Sequence, residues 1–204
     1  MHKMNEPLTT FAGSALIAFS FAVATVQTGS AAGETLVEEL ASDTVWMNAT
    51  RALDALWETN APPLQALHAA LDSSDYQQRQ LAADILRRKT EGTPQRRLLE
   101  VTVEGLRDDQ YPLDCVSERR TYTYLFNASR GVIFLVEHGQ HARDLLLAGL
   151  DSEDYQQRFL CAYALGMNGI RDRLADTISV LLFHLQDNDI GQDACMSCRA
   201  LYRL

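Results

Sequence analysis

Sixteen residues of this chain occur twice. LDSSDYQQRQLAADIL, residues 71–86, returns as LDSEDYQQRFLCAYAL, residues 150–165, with eleven of the sixteen positions identical at an offset of 79. Segments that recur at a fixed period are supersecondary units of an array, so this duplication constrains the fold more than any single motif does. The echo reaches beyond the sixteen residues. Asn48-Ala49-Thr50-Arg51 returns as Asn127-Ala128-Ser129-Arg130, and Leu56, Glu58 and Leu67 return as Leu135, Glu137 and Leu146. The repeat unit therefore covers 36–114 and again 115–193, and residues 194–204 open a further copy.

Each unit divides again. Turn signals begin at Leu71, Leu106, Leu150 and Leu185, spaced by 35, 44 and 35 residues. An apolar helical pattern precedes and follows each of them. Asp75 and Asp154 stand where a carboxylate caps the free amides of the next helix. Pro112 suits a first helical turn, where its missing N–H costs nothing. Gly166 and Gly169 suit the end of a helix. Leu81, Ile85 and Leu86, like Leu160, Ala164 and Leu165, form one apolar stripe per helix. The longer spacing is assigned to Thr121–His138. TYTYLF and GVIFLV within it look strand-like alone but read as helix beside their first-unit partners DTVWMN and ALDALW. One helix pair cannot close a core, whereas stacked pairs can. The expectation is an all-α fold, an α-solenoid of about four stacked helix pairs.

The pattern Leu150-Asp151, Asp154, Gln157-Arg158, Ala162, Leu165-Gly166 and Gly169 resembles the HEAT repeat, in the short bacterial form also found in phycobilisome lyases. Asp72, Asp75, Arg79, Ala83 and Leu86 carry the same pattern in the first copy, and residues 106–127 and 185–204 match more loosely. The resemblance implies stacked helix pairs whose Asp and Arg stabilise the turns and whose concave face binds a partner. Asp114 and Asp193 stand where the second and fourth turns would carry the arginine. A lyase-type accessory role is the alternative that the resemblance implies.

The chain is acidic, with a net charge of −9, so a phosphate backbone is a poor partner. His2 and Lys3 precede an uncharged run, Phe11–Val26, and Ser30-Ala31-Ala32 offers small residues before Gly33. Residues 1–32 read as a signal peptide, which makes 33–204 an exported domain in the periplasm or outside the cell. An uncleaved N-terminal anchor is the rival, but the run is shorter than the roughly 20 residues of a membrane span.

Four cysteines, Cys115, Cys161, Cys195 and Cys198, permit disulfides in an exported chain. Cys161 with Cys195 or Cys198 would staple the last two helix pairs. Cys195-Met196-Ser197-Cys198 could also exchange thiols, but no βαβ pattern surrounds it, and alignment with Leu81 and Leu160 places Cys195 in the core. His138-Gly139-Gln140-His141 reads as a polar turn rather than a metal site. Arg87-Arg88-Lys89 with Arg96-Arg97 forms a basic patch suited to an anionic partner, or to nothing more than a solvated loop. Asn48 and Asn127 lie in glycosylation sequons that the duplication explains. Tyr76, Gln77, Arg79 and their counterparts Tyr155, Gln156 and Arg158 are the candidate binding surface. The competing expectation is that they fill contacts between repeats, with arginine pairing to Asp72 or Asp151. No catalytic, cofactor-binding or metal-ligating set emerges. The function expected is protein binding or scaffolding without intrinsic catalysis, with self-association through the uncapped C-terminal repeat, and a thiol-disulfide accessory role as a further alternative.

Overall fold

The computed structural model describes residues 31–41, 46–89, 91–107, 115–116, 121–122, 124–186 and 191–204. The signal-peptide stretch, apart from its last two residues, and Pro112 lie outside them. Ten helices occur among the described residues. They are α1 (31–38), α2 (Trp46–Glu58), α3 (Leu64–Ala70), α4 (Tyr76–Lys89), α5 (Arg96–Glu104), α6 (Tyr124–Glu137), α7 (Gly139–Gly149), α8 (Tyr155–Met167), α9 (Leu174–Gln186) and α10 (Gly191–Arg203). The fold is all-α. Two short strands, β1 (Cys115–Val116) and β2 (Thr121–Tyr122), pair antiparallel between α5 and α6, with Cys115 opposite Tyr122. The helical expectation thus fails at Thr121–Tyr122 and holds from Tyr124 onward.

Apolar spacing explains which faces turn inward. In α2, Ala49, Ala52, Leu53 and Leu56 are buried, the i, i+3, i+4, i+7 stripe of a helix covered on one side. The helices α4 and α8 differ. Every residue from Gln80 to Arg87 is buried, and in α8 burial runs nearly unbroken from Phe159 to Gly166. Such all-round burial requires neighbours on several sides. Helix α4 packs on α2, α3, α5 and α6, and α8 packs on α5, α6, α7, α9 and α10.

One glycine of this segment permits close helix approach and another ends a helix. A Cβ on Gly166 would lie 2.7 Å from the Ala200 Cβ and 3.1 Å from its carbonyl oxygen, so this glycine lets α8 and α10 touch rather than ending α8 as the sequence suggests. Gly169 ends α8 instead. Its φ of 61° is left-handed, and Ile170 N–H donates to the Leu165 carbonyl at 3.0 Å, closing the helix with a six-residue cap.

Three helices of the second unit start 78 or 79 residues after their first-unit counterparts, α6 after α2, α8 after α4 and α9 after α5. Helix α1 breaks that register. The turn that closes it, around Val37 and Leu40, matches Val103 and Leu106 where α5 closes, only 66 residues on. The discrepancy of 13 residues sits between Leu106 and Tyr124, where the strand pair is. The extra length thus lies before α6, and not within Thr121–His138 as a whole.

Candidate functional site

The duplicated segment builds the same turn twice. Ser73 Oγ accepts the Asp75 amide at 3.1 Å, and Asp75 Oδ1 caps the helix by accepting from Gln78 N–H at 2.8 Å. In the second copy Ser152 Oγ accepts the Asp154 amide at 3.1 Å, and Asp154 Oδ1 accepts from Gln157 N–H at 2.7 Å. Arg79 folds back to donate to the carbonyls of Ser73 and Ser74 at 2.8 and 3.0 Å, and Arg158 donates to those of Ser152 and Glu153. The sequence pairs these arginines with Asp72 and Asp151, and the structure corrects that. Asp72 accepts from Arg97 Nε at 2.8 Å, and Asp151 takes both terminal nitrogens of Arg173 at 2.6 and 2.7 Å. Each turn carboxylate is thus held by the helix pair that follows, while the motif arginine closes its own turn, and Arg79 in addition reaches Glu104 of α5, Nη2 to Oε1 at 2.7 Å.

The paired glutamines reach further. Gln77 Nε2 donates to the Leu40 carbonyl at 3.0 Å and Gln78 Nε2 to the Val37 carbonyl at 2.9 Å. Gln156 Nε2 donates to the Leu106 carbonyl at 2.8 Å and Gln157 Nε2 to the Val103 carbonyl at 2.7 Å. The carbonyls at the end of a helix lack partners within that helix, and amides from a distant helix satisfy them here. The sequence separation grows from 37 residues to 50 while the bond is kept. Of the six candidate surface residues, Gln77, Gln156, Arg79 and Arg158 therefore hold internal carbonyls. Tyr76 is half-buried and Tyr155 is 36% exposed.

Tyr155 belongs to an aromatic group at the C-terminal end of α9. Its hydroxyl lies 3.1 Å from His184 Nδ1, the buried His184 ring stacks on Phe159 with centroids 3.9 Å apart, and Phe183 meets Tyr155 edge-on at 6.0 Å. Leu182 and Phe183 are 45% and 60% exposed, and Tyr202 of α10 is 92% exposed.

A polar cluster joins the first unit to the second. Asp84 is wholly buried, and its Oδ1 receives Arg87 Nη2 and Arg130 Nε, each at 3.1 Å. Arg87 Nη2 also donates to Asn127 Oδ1 at 2.7 Å, Asn127 Nδ2 to Gln80 Oε1 at 2.9 Å, and Gln80 Nε2 to the Val101 carbonyl at 3.1 Å. The chain of bonds ties α4, α5 and α6 together. Sequence reasoning missed it. The basic patch dissolves accordingly: Arg87 is buried here, Lys89 Nζ donates to the Thr59 carbonyl at 2.9 Å, Arg96 and Arg97 pair with Asp144 and Asp72, and Arg88 lies over the Trp57 ring at 4.4 Å. Asn127 is buried and bonded, which leaves its sequon no room for a glycan.

Cys161, Cys195 and Cys198 are free thiols, which corrects the expected disulfide. Cys161 is fully buried where α8 passes Gly149 of α7, whereas Cys195 and Cys198 are exposed. Cys195 is therefore not a core position. Ser197 and Ala200 take the buried face of α10. Burial pushes the Cys161 thiol up to about 12. His138 precedes α7 with its ring against Phe134 at 4.5 Å, and among the described residues no three His, Cys, Asp or Glu side chains gather as metal ligands would. No described helix is long and apolar enough to cross a membrane.

Compared with known proteins, the chain matches no protein-family model and no curated sequence.

Proposed function

We propose that the chain is an α-solenoid of five stacked helix pairs, HEAT-like in plan, that acts as an exported protein-binding scaffold without chemistry of its own. The observation that carries this reading is the recurring glutamine bond. The same two amides reach back from α4 to α1 and from α8 to α5, in each case to the first helix of the preceding pair. The turn at Leu40 supplies a fifth pair beyond the four read from sequence. The order α2, α4, α6, α8, α10, each packed on the next, supports a linear stack. A stack tied at its turns in this way offers a rigid surface, and its function is shape: a partner lies along it and meets side chains held at fixed spacing.

Two measurements test the reading. Affinity capture with the full chain, followed by reconstitution of the captured protein at a fixed stoichiometry, is the expected outcome. A chain that forms no stoichiometric complex with any protein of its native envelope fraction overturns it. N-terminal sequencing of the mature product is expected to start at Gly33. That cleavage would remove the first two residues of α1 and leave Gly33, which packs against Pro63, at the new terminus.

Thiol exchange is a second reading, favoured by one observation. Cys195 and Cys198 are both exposed and three residues apart on α10, so they share a face. Reduction of one model disulfide per chain, with Cys195 and Cys198 becoming bridged to each other, and repeated turnover once an added small-molecule thiol re-reduces them, would support it over the scaffold.

A further inference from the structure

Arg88 differs from most exposed arginines of this acidic chain. Arg51, Arg96, Arg97, Arg143 and Arg173 each hold a carboxylate of the same chain. Arg88 is exposed too, yet among the described residues no carboxylate pairs with it. Its guanidinium lies instead over the Trp57 ring of α2, 4.4 Å from the centroid. Arg130 of α6 lies over the same ring at 5.6 Å, with its Nε on the buried carboxylate of Asp84. One turn further along α6, Ile133 is 58% exposed. The group sits within the array, since α4 packs on both α2 and α6, and α6 packs on α8 as well.

In the second copy the matching positions are uncharged. Val136, Tyr163 and Met167, all partly buried, stand where the first copy has Trp57, Asp84 and Arg88. A buried carboxylate between arginines is often no more stabilising than well-packed side chains of similar volume. Packing alone therefore does not account for the charged version.

We propose that Trp57, Arg88, Arg130 and Ile133 bind an acidic segment of a partner protein. A glutamate or aspartate carboxylate seats on Arg88 and Arg130, and a neighbouring apolar side chain covers Ile133. The inference rests on the scaffold reading above and names its site and its partner's chemistry. Charge complementarity chooses the occupant. A guanidinium held on an indole ring keeps donors for a carboxylate and loses little freedom when one arrives. Asp84 is a positioning residue, fixing Arg130 from the buried side. Tryptophan and arginine are also the residues in which interface energy concentrates. The net charge of −9 opposes an acidic partner at a distance, but at physiological salt a charge acts over about 8 Å, so the local arginines decide.

The test selects binders to the full chain from a bead-displayed library of random dodecapeptides and measures them by fluorescence anisotropy. The expected binders are rich in Asp or Glu beside Leu, Ile or Phe. Their affinity is expected to fall about tenfold or more when the chain carries Arg88→Gln, and likewise when the peptide's acid becomes its amide. Ile133→Asp, as a second variant, is expected to weaken the same peptides. Both positions are exposed, so thermal melts are expected to show either chain folded. No binder, binders without acidic enrichment, or binding indifferent to either substitution overturns the proposal. So does Arg88-dependent binding to phosphatidylglycerol vesicles in place of peptides. Partner capture separates the two readings. A captured partner that binds the Arg88→Gln and Ile133→Asp chains as well as the unaltered one keeps the scaffold and removes this site.

Discussion

His184 stacks on Phe159 at the place where, 79 residues earlier, Gly105 lies under Gln80. The two pairs are the same two positions of the repeat, 25 residues apart in each copy. In one copy an aromatic ring fills the space between the helices. In the other the ring is missing and two amides, from Gln80 and Asn127, occupy the gap. The backbone plan is thus indifferent to what fills this site, but each filling is specific. A Cβ on Gly105 would meet Asn127 Nδ2 at 2.7 Å. Gly105→Ala is expected to destabilise the chain by about 1–3 kcal/mol through overpacking, seen as a lower urea midpoint with unchanged slope. A neutral result would mean that the amides can shift without loss of their bonds.

Asp84 gives a sharper test of the buried cluster. Its carboxylate sits between Arg87 and Arg130 with no exposure to solvent. Removing one partner of such a group leaves uncompensated buried charge, which costs about 3–5 kcal/mol. Asp84→Ala is expected to fall in that range by chemical denaturation. Replacing Gln80, Asp84 and Arg87 together with their second-unit counterparts Phe159, Tyr163 and Gly166 as the template is expected to cost less than the sum of the single changes, because the two buried charges leave together and only Arg130, which is partly exposed and lies over the Trp57 ring, loses a partner.

The glutamine pairs predict a local effect distinct from a global one. Gln156→Ala with Gln157→Ala removes two amides from the end of α5. Each bond contributes about 0.5–1.5 kcal/mol. Amide hydrogen exchange is expected to speed up in the last turn of α5, around Val103 to Leu106, more than in α7 or α9. Uniform acceleration across the chain would show that the bonds act only through overall stability.

How far the sequence revealed all this depends on the kind of signal. Turn and cap residues were legible, since Asp75 and Asp154 act through bonds to amides three residues away, a distance that sequence spacing encodes. The all-α fold followed from stripes such as Leu81, Ile85 and Leu86. The partners of Gln77 and Gln78 were not legible, because bonds spanning 37 and 41 residues leave no local pattern. Arg87 reads as one of a run of basic residues, and only its neighbours in space make it a buried partner of Asp84. Comparing the copies position by position would have exposed it. Polar Gln80, Asp84 and Arg87 align with Phe159, Tyr163 and Gly166, and polar residues in an otherwise apolar helix need partners. Leu40 escaped as a turn because α1 keeps a 66-residue register instead of 79.

Exposed ion pairs set the response to acid. Arg96 beside Asp144, Arg173 beside Asp151 and Arg143 beside Asp172 hold these carboxyls below the ordinary carboxylate value. A group with a depressed folded-state pKa contributes stability that is present above its unfolded value near 4 and lost as pH falls through the folded one. Stability is therefore expected to be level at pH 5 and above as far as these pairs are concerned, and to fall below about pH 4. Asp151→Asn is expected to lower stability slightly at neutral pH and to flatten the acid decline. Because the pairs face solvent, added salt should shrink both effects. Urea midpoints measured from pH 6 to pH 3 at two salt concentrations check the sign.

The thiols give the last prediction, and it depends on burial alone. Cys161 sits where α7 and α8 touch, and its thiol, pushed up to about 12, stays protonated at any pH the fold experiences. The thiolate is the reactive form, so Cys161 is inert unless the helices part. Cys195 and Cys198 face solvent on α10. Alkylation of the native chain at pH 8, mapped by mass spectrometry, is expected to modify both within minutes while Cys161 reacts only at the rate of opening. Urea just below the unfolding midpoint should bring Cys161 up toward the others. Equal labelling of all three under native conditions would mean that α8 does not lie against Gly149, and would remove the packing that buries this segment of the duplicated motif.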